Sequence, residues 1–192
     1  MAKLVEIRWH GRAGQGAKTA ALTLAEAAIE SNKYAQAFPE YGPERMGAPM
    51  QAFNRISDEG ITVHSNVQNP SIVLILDQSL IVAKNVSVTG GVPEDGTYIV
   101  NTHLPASVMR KKLGVGANAK VYTVDATQIS IDALGKNIPN TPMIGALIKT
   151  TGLLDWDLVI QETRNKLGKK FNKSIVDKNV LAMQKAYEEV RS

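Results

Sequence analysis

The sequence has no cysteine and only three histidines, His10, His64 and His103, in 192 residues. Thiolates ligate iron–sulfur clusters, act as nucleophiles and pair in disulfides, so none of these chemistries belongs to this chain. No two histidines stand at the short helical spacing of a zinc site, and no metal site is expected. Long apolar runs are missing too. Nothing approaches the roughly 18 residues of a membrane span, and the start, MAKLVE, lacks the apolar core of a secretory signal. The expectation is a soluble, cytoplasmic protein with no membrane partner. Aromatic residues make up 5% of the chain, and its net charge of +4 is scattered apart from Lys166, Lys169, Lys170 and Lys173. That cluster reads as a solvated face. Without an aromatic-rich sheet motif or a helix-turn-helix pattern, nucleic acid is not an expected partner.

What is present is a hydrophobic content of 44%, enough to bury the core of a single domain spanning residues 1–192. Residues 4–9 alternate apolar and polar, meet the GRAGQG loop at 11–16, and give way to Ala17, Ala20, Ala21, Leu24, Ala27 and Ala28 at helical spacing. This is strand, glycine loop, helix, with a small-residue face suited to close packing on a sheet. Residues 34–50, rich in proline and glycine, read as a long irregular segment. Residues 50–56 and 61–64 flank a polar turn containing Gly60 and are expected to form an antiparallel hairpin. Residues 71–76, 97–100 and 120–124 read as strands, the first of them an almost wholly apolar run that marks a parallel sheet buried on both faces. Helices are expected at 79–84, 105–113 and 126–134, and again at 141–150, 155–167 and 174–190, the last opened by Ser174 and Asp177 as a capping box. The fold class is therefore α/β: a three-layer, Rossmann-like sandwich with a mainly parallel sheet, an added antiparallel hairpin and a helical C-terminal third.

The glycine loop is the strongest local signal, because glycines let backbone N–H groups approach an anion while the next helix offers its positive end. Its order, GxxGxG, differs from the dinucleotide GxGxxG, and no acid stands near Gln36 to hold a ribose; nor is the spacing that of a Walker loop. The competing reading is a tight turn with no ligand, against which Arg12, Gln15 and Lys18 weigh. His10, Asp77, Asn101 and Asp125 end the proposed strands and would gather on the carboxyl rim of a parallel sheet. For Asp77 and Asp125 helix capping is the favoured role. No nucleophile with a base and no pair of tuned carboxylates is set up locally, so no catalytic residue is named.

Four segments taken together resemble the gamma subunit of pyruvate and related 2-oxoacid:ferredoxin oxidoreductases. They are IRWHGRAGQG at 7–16, YGPERMG at 41–47, VLILDQSL at 73–80 and NTPMIGAL at 140–147, with KNVLAMQKAY at 178–187 resembling the family's tail. The match is spread over almost the whole chain; Ala13 and Met46 depart from the usual glycine and basic residue. The resemblance implies a complex that decarboxylates a 2-oxoacid, pyruvate by overall similarity, on thiamine diphosphate with its Mg. Electrons then pass through [4Fe–4S] clusters to ferredoxin, and the acyl group goes to coenzyme A. The alpha, beta and delta-type subunits would carry those cofactors, since this chain has neither cysteines nor the thiamine diphosphate motif. The resemblance assigns this chain a share in holding coenzyme A, through Gly11, Arg12, Gly14, Gln15, Gly16 and Arg45. Asn140 and Thr141 would cap the next helix or face the ligand. Two other readings stay open: a free-standing nucleotide-binding protein, and a purely structural subunit whose loops meet only neighbouring chains.

Overall fold

The computed structural model describes residues 4–40 and 47–192. A six-stranded sheet in the order β2-β3-β1-β4-β5-β6 forms its centre. The strands are β1 (Val5–Arg12), β2 (Tyr34–Glu40), β3 (Pro49–Ser57), β4 (Ile72–Ile75), β5 (Thr97–Asn101) and β6 (Lys120–Val124). β1, β4, β5 and β6 are parallel, and β3 runs antiparallel to both β1 and β2. The Rossmann-like α/β class and the parallel strands are as the sequence predicts. The hairpin is placed differently. Its partner strand is β2, drawn from the segment read as irregular, while residues 61–64 form no strand. The β-branched ITVH run lies on the surface, and Arg55 holds its backbone by donating to Val63 O (3.4 Å) and Ser65 O (2.7 Å). Strand propensity without burial is a weak force. Pro39 is tolerated in β2 because that strand sits at the sheet edge.

The helices are α1 (Ala17–Glu30), α2 (Ala106–Leu113), α3 (Ala126–Leu134), α4 (Asn140–Thr151), α5 (Trp156–Gly168) and α6 (Lys173–Glu189). A 3-10 turn at Gln78–Val82 takes the place of the helix expected at 79–84. The layers are unequal. One face of the sheet carries the larger core, in which Ile7, Trp9, Ile72, Leu74 and Ile99 meet α1, α3, α4 and the later helices. The other face is covered by α2, the 3-10 turn and loops, around Val73, Ile75, Tyr98, Val100 and Met109.

α1 lies close on the sheet because its buried side is alanine. Asn54 of β3 secures it: its Nδ2 donates to Ala21 O and its Oδ1 accepts from Trp9 Nε1, both at 2.8 Å. α4 is buried on all sides from Asn140 to Ile148, as befits a helix enclosed between the sheet and α6. Each of Ile144, Leu147 and Ile148 contributes about 1.5–3 kcal/mol by burial. α6 opens on Asn172, whose side chain accepts from Ile175 N, and not on the expected Ser174–Asp177 box; Asp177 instead pairs with Arg164 of α5. No helix among the described residues is long and apolar enough to cross a membrane.

Candidate functional site

β1 continues to Arg12, so Gly11 is the last buried strand glycine and the turn proper is residues 13–16. Ala13 N–H donates to Ala48 O (2.9 Å) and Gln15 N–H to Arg12 O (3.0 Å). Gly14 and Gly16 have φ of 102° and 81°, in the left-handed region. Gly16 is also pressed against α4: a Cβ there would stand 2.6 Å from Asn140 Nδ2. It precedes α1 without a capping side chain, and α1 has no acid in its first turn. The first N–H groups of the helix thus keep their positive end.

Gly14 and Gly16 form one wall of a cleft of about 430 Å³. Asn140 and Thr141, at the start of α4, form its floor, both less than a tenth exposed. Neither caps α4, because both lie inside the helix after Pro139. Thr141 Oγ1 donates to Asn179 Oδ1 of α6 at 3.1 Å. Thr19, Lys136 and Lys178 supply further polar groups; Leu134, Ile138, Leu167, Phe171 and Ile175 supply an apolar side. Among the described residues no carboxylate lines this cleft. A phosphate could lie on the glycine N–H groups with two ammonium groups nearby, and an apolar moiety could cover the aliphatic wall.

Four of the residues expected at a ligand site are therefore brought together: Gly14, Gly16, Asn140 and Thr141. Arg12 and Gln15 are not among the lining residues, and their polar atoms already have partners. Arg12 donates from Nε to Asp77 Oδ2 (3.1 Å), from Nη1 to Gly47 O (3.0 Å) and from Nη2 to Ser79 Oγ (2.8 Å). Gln15 Oε1 accepts from Arg12 N (2.8 Å) and its Nε2 donates to Asp77 Oδ2 (3.2 Å). The pair fixes the glycine loop from behind. Arg45 lies outside the described residues. Thr19, Lys136 and Lys178 are not candidates in the sequence, since only the packing of α1, the α3–α4 connection and α6 brings them to one cleft.

The carboxyl rim holds Asp77, Asn101 and Asp125 as expected, but not His10, which lies within β1 because that strand runs on to Arg12. Asp125 caps α3 by accepting from Gln128 N (3.0 Å), and Asp77 accepts from Ser79 N (2.9 Å). Burial alone would raise the Asp77 carboxyl. The Ser79 hydroxyl and N–H, the Gln15 amide and the Arg12 charge outweigh it and hold its pKa below the usual carboxylate value. Asn101 joins Leu76 O to Thr127, a structural role. His103 is exposed, at a separate recess between β5, β6 and the last residues. His10 is fully buried on the thinly covered face, and burial, with the Arg8 guanidinium beside it, pushes its pKa down to about 3.

This combination defines a Rossmann-like α/β domain with an electropositive glycine-loop cleft. Residues 6–189 match the family described as pyruvate ferredoxin/flavodoxin oxidoreductase. The chain is 49% identical over 189 residues to the pyruvate synthase subunit PorC of Thermotoga maritima, covering 98% of this chain and 96% of that one. It is 42% identical to the pyruvate/ketoisovalerate oxidoreductases common subunit gamma of Pyrococcus abyssi, with 98% of each chain covered. The crystal structure of the Thermotoga maritima pyruvate oxidoreductase subunit PORC superposes with a TM-score of 0.86 at 45% identity, again over 98% of each chain. The chain belongs to the pyruvate ferredoxin/flavodoxin oxidoreductase family, as a subunit of its gamma type.

Proposed function

We propose that this chain acts, as one cytoplasmic domain, in a complex that oxidatively decarboxylates pyruvate to acetyl-CoA and CO2 with reduction of ferredoxin, and that its own part is to hold coenzyme A. The observation that carries the reading is the convergence of Gly14, Gly16, Asn140 and Thr141 with Lys136 and Lys178 on one cleft. The phosphates of coenzyme A are to lie at the Gly14–Gly16 turn and the start of α1, with Lys136 and Lys178 giving charge-assisted bonds. The apolar wall takes the rest of the bound portion. Gly11, Arg12 and Gln15 shape and brace the loop, and Arg45 is assigned to the same ligand from the resemblance.

Thiamine diphosphate, Mg and the [4Fe–4S] clusters are assigned to alpha, beta and delta-type partner subunits. The donor set here supports that assignment, because the chain has no cysteine to ligate a cluster. Choice of the 2-oxoacid is assigned to those partners too. The Pyrococcus abyssi relative, named as common to pyruvate and ketoisovalerate oxidoreductases, is in keeping with a gamma subunit that does not choose.

The test is a coenzyme A titration of the assembled complex carrying Lys178→Ala or Lys136→Ala. Each exposed ammonium lost should raise the KM for coenzyme A about three- to tenfold, with the KM for pyruvate and subunit co-purification unchanged. A complex that falls apart while coenzyme A use holds would favour the purely structural reading.

A further inference from the structure

Positive charge is concentrated in one segment of the chain. Residues 164–185 hold seven basic side chains and one acid, Asp177, an excess larger than the net +4 of the whole protein. They fold into the end of α5, the turn after it and most of α6. Arg164 pairs with Asp177, and Lys166 with Glu26 of α1 at 2.8 Å. Lys169, Lys170, Lys173 and Lys178 are exposed, and among the described residues none of them has a carboxylate partner. α6 also opens here without an acid in its first turn, so the positive end of its dipole adds to the same field.

Apolar side chains stand among these lysines. Phe171, Ile175 and Leu181 are 46%, 39% and 47% exposed. The packing of α6 is done by its other face, where Val176, Val180 and Met183 are buried. Phe171 and Ile175 belong to the wall of the glycine-loop cleft, whose ligand can cover them. Leu181 does not. It lies in a second, shallow hollow with Lys173, Ser174, Asp177 and Lys178. A ligand of the first cleft thus leaves that hollow and the lysines of the turn unaccounted for. An apolar contact set inside a charged rim is the anatomy of a protein interface.

We propose that this surface docks an acidic face of a partner subunit, whose carboxylates meet Lys169, Lys170 and Lys173 and whose apolar side chain seats on Leu181 in the hollow. Charge and shape decide the occupant. A second copy of this chain would set lysines against lysines across a two-fold axis, which is repulsive. A membrane surface takes up apolar side chains that project from a helix, whereas Leu181 lies in a hollow. A nucleic acid would be held through its phosphates and make no use of Leu181. The inference rests on the chain's place in a multi-subunit enzyme and not on the coenzyme A assignment, since Lys169, Lys170, Lys173 and Leu181 do not line the glycine-loop cleft.

The experiment titrates the full chain into the remaining subunits of the complex at about 50 and about 300 mM salt, and treats the reassembled complex with a carbodiimide, which joins a lysine to a carboxylate in contact with it. Affinity should fall about tenfold with the added salt. Lys170→Glu combined with Lys173→Glu should weaken binding about tenfold or more at low salt and remove most of the salt dependence. Leu181→Gln should weaken it about threefold or more and keep that dependence. Cross-links should join Lys169, Lys170 or Lys173 to an Asp or Glu of a partner subunit. These positions are exposed, and a Glu in the first turn of α6 suits the helix dipole, so the variants should fold. Wild-type cross-linking decides the matter if one does not. Unchanged affinity in the folded variants, or cross-links confined to this chain's own carboxylates, overturns the proposal. So does a charge variant that assembles normally but loses binding to phosphatidylserine vesicles or an oligonucleotide, or that raises the KM for coenzyme A in a fully assembled complex.

Discussion

His10 has a consequence for stability that is separate from any ligand. Its folded pKa is near 3 against an ordinary 6.5, so between those values the unfolded chain binds a proton that the folded chain refuses. Stability from this residue is complete above about pH 7 and falls as the pH drops, with a slope approaching about 1.4 kcal/mol per pH unit. Urea unfolding at pH 7.5 and pH 5 should show a larger loss for the wild type than for His10→Gln; equal losses would mean that the imidazole does not stay neutral. Gly16 permits a comparison within one loop. Alanine at Gly14 meets open space and bears only the strain of a positive φ, about 1–2 kcal/mol, whereas alanine at Gly16 must also displace the Asn140 amide. Gly16→Ala should therefore lower the unfolding free energy more than Gly14→Ala does, by about 1–3 kcal/mol.

At the scale of elements, the tightest approach is between α4 and α6. A Cβ added to Gly145 would stand 2.1 Å from Met183 O, a backbone atom that cannot swing aside. Gly145→Ala should destabilise the protein by about 3 kcal/mol or more, read as a fall in the urea midpoint. The sequence showed most of these elements directly. α3 was foreseen residue for residue, since Asp125 and Gln128 mark its start, and the buried parallel strands declared themselves as apolar runs. β2 did not, because an edge strand reading YAQAFPE carries little apolar periodicity and a proline. α6 starts one residue earlier than the Ser174 box implies, because Asn172 caps it. Of the cleft, the glycines and the NTPMIGAL start were visible as motifs. Lys178 opens the tail-like segment at 178–187, but neither it nor Lys136 is marked as part of a cleft, because an exposed lysine has no local signature until tertiary packing gives it a neighbour.

For the whole molecule, the unequal coverage of the sheet predicts unequal protection of its amides. β1 is bonded on both sides, to β3 and β4, and α4 is enclosed. The stretch from residue 58 to 70 has no regular structure and is mostly exposed. Hydrogen exchange should be slowest in β1, β4 and α4, and faster by orders of magnitude in residues 58–70. Comparable protection of that stretch would show that the thin face is more cooperative than its contacts imply.

The central place of β1 also sets a timetable for the chain as it leaves the ribosome. β1 is made first among the strands, yet its parallel neighbour β4 ends at Ile75, and the helix that closes over α1, α4, begins only at Asn140. At about 5–20 residues per second, several seconds pass before both edges of β1 are covered, and several more before α4 arrives. Throughout that interval the alanine face of α1 and the row of Ile7 and Trp9 are open to other surfaces. The nascent chain should depend on a holding chaperone until its C-terminal helices are complete.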